Sequence, residues 1–251
     1  MMRDAWLILK HELLVTAREP FWIFFGLFQP VVYLLLFAPF LSGIANTPGF
    51  PAENSIQFFA PGLLMMNALF QAGFAGFGLI EKLESGFLER LRVTPIDRLA
   101  LVLGLVLVST ITVLVQSAFL VLASLPFGLA ISAPGALLLF VLLVLVAVTM
   151  GSISYALALI VKDPGILAGV TNFFILPVLL LSGIMLPVGF GPRVLQWLAA
   201  ANPLYYASDA ARALIEGRFG DPAIAIAFAA FVVLAAGTLL WFIRTTREAV
   251  A

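Results

Sequence analysis

Residues 99 to 161 contain no charged side chain, and the stretch is interrupted only by a short break at Pro126, Gly128, Pro134 and Gly135. A soluble domain of 251 residues has nothing with which to cover so long an apolar run, whereas a bilayer accepts it. A helix rises about 1.5 Å per residue, so about 20 apolar residues cross roughly 30 Å of hydrocarbon. The stretch therefore reads as two membrane spans joined by a tight external turn. Composition agrees: 63% of the residues are hydrophobic and 10% are charged, against about 25% charged in soluble domains. The formal net charge is zero, which argues against nucleic acid as a partner. With no cysteine, disulfides, thiolate chemistry and cysteine metal sites are excluded.

Apolar runs at 21–41, 58–80, 99–126, 134–161, 165–186 and 223–243 are each long enough to cross, predicting six spans. Lys162-Asp163-Pro164 divides the fourth run from the fifth, because their sum is too long for one crossing and Pro164 marks a helix boundary. The first run is too long for a signal peptide and is expected to be retained. An even number of spans puts both termini on one side. Arg3, Lys10, Arg18, Lys82, Arg90, Arg92, Arg98, Lys162, Arg244 and Arg247 fall on that side, and only Arg193, Arg212 and Arg218 on the other. The positive-inside rule then places both termini in the cytoplasm.

Three segments do not span. In 2–18, Met2, Ala5, Trp6, Leu9 and Leu13 share one helical face, while Arg3, Asp4, Lys10, His11 and Arg18 lie largely opposite. Such a helix lies in the inner membrane interface, as an anchor alone or against a partner. In 81–92, Leu83, Phe87 and Leu91 recur every fourth residue, with Glu81, Lys82, Ser85, Glu89 and Arg92 on the other face. This predicts a short amphipathic helix that docks into a cytoplasmic protein, lies on lipid or is solvated. In the outer segment 187–222, Asn202-Pro203 is an N-cap followed by proline at the first helical position. Gly217 is the matching stop, and Asp209 and Arg212 stand three apart on one face, where they either pair or are separately solvated. The apolar surface of this hairpin predicts that it dips back into the outer leaflet.

Within the spans, Asn67, Gln71, Gln116 and Asn172 are uncharged polar groups that either bond to neighbouring helices or line a pathway. Gly165 and Gly169 form a GxxxG pair, and Gly73, Gly76 and Gly78 crowd the second span, which predicts close helix packing. His11, the only histidine, stands among interfacial charges and is read as structural. No catalytic set and no metal-ligand set is present at span depth, so no catalytic or metal residue is assigned.

Several of these motifs resemble the permease subunits of type-2 ABC exporters, nearest the daunorubicin-resistance and nodulation-factor exporter branch. The resemblance rests on Gln57-Phe-Phe-Ala-Pro-Gly62, on Glu84-Ser-Gly86 followed by Glu89-Arg-Leu-Arg-Val-Thr-Pro95 and Arg98, and on Asn202-Pro-Leu-Tyr-Tyr with Asp209 and Arg212. It implies an all-α polytopic fold of six transmembrane helices with an N-terminal interfacial helix, a cytoplasmic coupling helix and an outer re-entrant hairpin. It further implies a homodimer, or a heterodimer with a similar permease, seated on two copies of a separate ABC ATPase in a bacterial inner membrane. The coupling role falls on Glu84, Gly86, Phe87, Glu89, Arg90, Leu91, Thr94, Pro95 and Arg98, with Leu83 continuing their apolar ridge. The outer hairpin is marked by Asn202, Pro203, Asp209 and Arg212. This chain has no glycine-rich phosphate loop, so ATP and magnesium belong to the partner and no cofactor is expected here. The cargo implied is an amphiphilic drug, lipid or glycolipid moved outward. The competing readings are an ion-coupled secondary transporter, disfavoured by spans without ionisable residues, and a membrane scaffold with no pathway.

Overall fold

The computed structural model describes residues 2–18, 26, 28–36, 55–86, 98–184, 188 and 191–250. They form helices, with no strand among the described residues. In order these are α1 (Met2–Arg18), α2 (28–36), α3 (Ser55–Gly73), α4 (Gly76–Glu84) and α5 (Arg98–Ser124). Then follow α6 (Ala133–Val161), α7 (Pro164–Leu180), α8 (Arg193–Ala200), α9 (Pro203–Ile215) and α10 (Pro222–Val250). A 3₁₀ turn, Leu125–Phe127, closes α5.

Local chemistry sets the boundaries. Ser132 caps α6 by accepting the Gly135 N–H, and Pro134 sits in the first turn, where its missing donor costs nothing. At the other end Lys162 takes a left-handed conformation, φ 50°, and Asp163 accepts the Ile166 N–H at 2.8 Å to start α7. Two residues thus join α6 to α7.

Among the described residues four stretches are long and apolar enough to cross a membrane: Ile56–Glu84, Leu99–Phe127, Ala133–Val161 and Pro222–Ala249. One expectation needs correction. The run 165–186 is helical only to Leu180, because the chain turns at 181–183 with Gly183 at φ 69°. At about 1.5 Å per residue α7 is shorter than the hydrocarbon is thick. The run 58–80 lies within Ile56–Glu84 and is carried by two helices: α3 stops at Gly73, and α4 restarts at Gly76 and continues to Glu84. The run 21–41 is described only at 26 and 28–36; its remainder lies outside the described residues.

Helix α6 is the centre of the bundle, packing against α3, α4, α5, α7, α9 and α10. Its residues Leu139, Leu142, Leu143, Val146 and Ala147 are fully buried. Between apolar helices in lipid, close approach decides which faces meet, and small residues permit it. Gly135 lies directly on the Leu214 carbonyl of α9, leaving no room for a Cβ, and Gly151 faces the Ser109 hydroxyl of α5. Helix α10 contributes a thin buried edge, with Phe231 and Phe242 inside and Val232, Val233 and Leu240 exposed as in a lipid-facing surface.

Candidate functional site

One end of the bundle is built from α1, α4 and the start of α5. Helix α1 packs along α5 through Ile8 and the buried Leu9, while Trp6 is left 63% exposed. The packed face is therefore centred on Ile8, Leu9 and Glu12, rather than on the Trp6 side. Glu12 is buried, and its carboxylate pairs with the Lys82 ammonium of α4. This ion pair fastens two segments 70 residues apart. Leu83, the first member of the expected ridge, is half-buried and packs against the apolar cluster around Leu79 and Ile80.

The rod expected over 81–92 is corrected here. Helix α4 ends at Glu84; the Ser85 hydroxyl donates to the Lys82 carbonyl at 2.8 Å, and Gly86 adopts φ 76°. A left-handed glycine just past the last helical residue is a helix stop, so Leu83 and Phe87 do not share a continuous helix. Phe87, Glu89, Arg90, Leu91, Thr94 and Pro95 lie outside the described residues. Arg98 opens α5.

At the opposite end α9 carries the second constellation. Asn202 accepts the Leu204 N–H at 3.0 Å through its Oδ1, capping α9 ahead of Pro203. Its amide nitrogen donates to the Val178 carbonyl of α7 at 2.7 Å. One side chain thus caps one helix and satisfies an otherwise free carbonyl near the end of another. Arg212 is buried, with only 8% of its surface exposed. It donates to Asp209 at 3.0 Å, to the Gly183 carbonyl at 2.6 Å and, weakly, to the Phe58 carbonyl at 3.4 Å. Its guanidinium also lies 4.1 Å from the centre of the Phe58 ring. The solvated reading of this pair is thereby excluded: Arg212 clasps α3, α9 and the turn after α7. Burial pulls its pKa down, while the Asp209 charge and hydrogen bond push it back up. Arg218, in the next turn, is half-exposed and donates to Glu216 and Asp221; its hydrogen bond to the Glu216 carboxylate pushes its pKa up.

The polar residues inside the apolar helices separate into two groups. Gln71 and the fully buried Gln116 bring their amides together beside Gly26, where an added Cβ would lie 2.6 Å from the Gln116 nitrogen and 3.1 Å from that of Gln71. Among the described residues neither polar atom of the Gln116 amide has a hydrogen-bond partner, and the amide nitrogen of the buried Asn67 has none either. Asn172, by contrast, is exposed on α7 beside Phe173, and its amide returns to the Ala168 carbonyl at 2.9 Å.

The sequence matches the family model described as ABC-2 type transporter over residues 3–215, from α1 to the last residue of α9. The chain belongs to the ABC-2 type transporter family. Relatives of this permease include the ycf38 transport permeases of Cyanophora paradoxa and Porphyra purpurea. The first is 28% identical over 85% of this chain and 74% of its own length. The second is 31% identical over 82% and 71%. The daunorubicin resistance ABC transporter permease protein DrrB1 of Streptomyces coeruleorubidus is 28% identical over 76% of this chain and 68% of its own.

The site of this ABC-2 permease contains residues that the sequence pattern did not reveal. Glu12 and Ser154 stood in no motif, yet each joins elements far apart in the chain. Ser154, buried on α6, accepts the Gly76 N–H at 2.9 Å and donates to the Gly73 carbonyl at 2.6 Å, holding both edges of the α3–α4 break. Gly86 is the local signal that could have revealed the helix stop there.

Proposed function

We propose that this chain is the transmembrane subunit of an ATP-driven exporter, working as a pair of permeases with two separate ABC ATPase subunits. The single observation that supports this most strongly is the family match, which covers every described element except α10. ATP and magnesium bind to the partner; the permease supplies the path and the lever. The cargo we propose is an amphiphilic drug, lipid or glycolipid, in keeping with the name of the daunorubicin-resistance relative. As a multi-pass membrane protein it would, on this reading, cross a bacterial inner membrane six times with both termini in the cytoplasm.

The ATPase contact is assigned to the inner end: Leu83, Glu84 and Gly86 where α4 stops, then Phe87, Glu89, Arg90, Leu91, Thr94, Pro95 and Arg98 leading into α5. Because Lys82 is tied to Glu12, a push at this corner moves α4 and α1 together. Asn202, Pro203, Asp209 and Arg212 hold the outer hairpin rigid against α3 and α7, and Asn67, Gln71, Gln116 and Asn172 are the candidates for a polar lining.

Proteoliposomes carrying the permease and its ATPase test this reading. Accumulation of a fluorescent anthracycline such as daunorubicin that requires ATP and both proteins supports it. Accumulation driven by a proton gradient without ATP refutes it in favour of an ion-coupled carrier, for which the apolar helices offer no ionisable group at mid-depth.

A further inference from the structure

The α3–α4 break coincides with a division of the core into two storeys. On the outer side Leu64, Leu69, Leu139, Leu143 and Phe231 belong to one buried cluster; on the inner side Leu79, Ile80, Leu105, Tyr155 and Phe242 belong to another. Between them on α5 and α6 stand buried hydroxyls, among them Ser109, Thr110, Ser152 and Ser154. The backbone ladder is altered at this level of the run. Phe74 N–H still reaches the Phe70 carbonyl, but Ala75 and Phe77 donate three residues back, to Ala72 and Phe74. The Gly73 carbonyl and the Gly76 N–H, which an uninterrupted helix would satisfy through Phe77 and Ala72, are satisfied by the one Ser154 hydroxyl instead.

The two arrangements therefore satisfy the same backbone groups, one through Ser154 and one within the helix. Elements of that kind are bistable rather than continuously deformable. The bent form is also a close-packed one: a Cβ on Gly76 would lie 2.5 Å from the Ser154 carbonyl oxygen. We propose that the Phe74–Ala75 break is a two-position joint, with Ser154 as the positioning residue that holds it bent. Closing the helical ladder straightens α3 onto α4 when the α1–α4 corner is pushed from the cytoplasm. The joint itself stands on the hydrogen bonds; its driver rests on the proposed coupling to an ATPase.

The chain has no cysteine, so spin labels can be placed singly. Gly78→Cys and Leu137→Cys suit this, because both positions are exposed and a Cβ at Gly78 meets nothing within 4 Å. The distance between labels is measured in the permease–ATPase complex in lipid nanodiscs, diluted with unlabelled chain, before and after vanadate trapping. Two discrete distances are expected, one before trapping and one after. Ser154→Ala removes both bonds of the bent form and neither of the straight one. Without nucleotide it is expected to raise the population of the trapped distance about tenfold or more. Gly76→Ala, which fills the contact instead, is expected to shift it in the same direction. Retained helicity and ATPase co-purification show that both variants fold. A single distance throughout, or wild-type distributions in both folded variants, overturns the joint. If wild-type permease binds no ATPase, the functional reading fails, and the nucleotide-free comparison of the variants still decides the joint. If ATPase binds and trapping moves nothing, the driven joint is overturned while the functional reading stands.

Discussion

Replacing Arg212 by methionine should loosen the outer end of the bundle by an amount that can be worked from its contacts. Methionine keeps the stem but removes every donor. The Gly183 carbonyl, bonded at 2.6 Å, is left buried without that partner, which costs about 1–3 kcal/mol. The stacking over Phe58, at 4.1 Å, is also lost, worth about 1–2 kcal/mol where water is excluded. Asp209 recovers part of its loss from solvent, because its side chain is 37% exposed. The expected total is about 3–5 kcal/mol, in the range for breaking a buried pair by removing one partner. That corresponds to roughly a hundredfold to a few thousandfold in the folded-to-unfolded ratio. Asp209→Asn should cost only about 1 kcal/mol, since the amide oxygen still accepts and Arg212 keeps its carbonyl partners. Unfolding in mixed micelles of rising SDS fraction, followed by tryptophan fluorescence, gives both values. Stability unchanged in Arg212→Met, or a larger loss in Asp209→Asn, would refute the clasp.

Three further outcomes follow from the same geometry. A double-mutant cycle between Glu12→Gln and Lys82→Gln should show a coupling of about 1 kcal/mol in the same unfolding assay, and the charge-swapped double variant should recover most of it. Gln116→Leu should leave stability unchanged or raise it by about 1 kcal/mol, because the amide it removes is buried without partners; a clear loss would mean that the amide is bonded in the working assembly. Asn202→Ala should cost about 1–2 kcal/mol through the lost cap and the freed Val178 carbonyl, and should speed proteolysis within the α8–α9 hairpin.

Features encoded within a few residues were legible in the sequence. The start of α9 at Asn202-Pro203 and the turn at Lys162-Asp163-Pro164 depend on local backbone chemistry, and the structure shows them as caps. The azimuth of the long helices was not legible. In water a helix declares its buried face by its apolar stripe, but α6 is apolar on every side, with Leu142 buried and Leu137 exposed. For the same reason Asn67, Gln116 and Asn172 looked alike, although the first two point inward and the third outward. Lys82 was read from its position on an exposed face, yet it meets Glu12 from a different part of the chain. The small residues of the second span were noticed for packing; that they bracket a break depended on Ser154, which no local pattern connects to them.

The central claim is that the chain following α4 is gripped by a cytoplasmic ATPase. Since the protein lacks cysteine, Phe87→Cys provides a single reactive thiol immediately after Gly86. In membranes containing both proteins, a short bifunctional thiol reagent should join this position to the ATPase in high yield, and the adduct should be absent when the ATPase is omitted. Labelling of the same thiol in intact cells by a membrane-impermeant reagent, with no ATPase adduct, would contradict the claim.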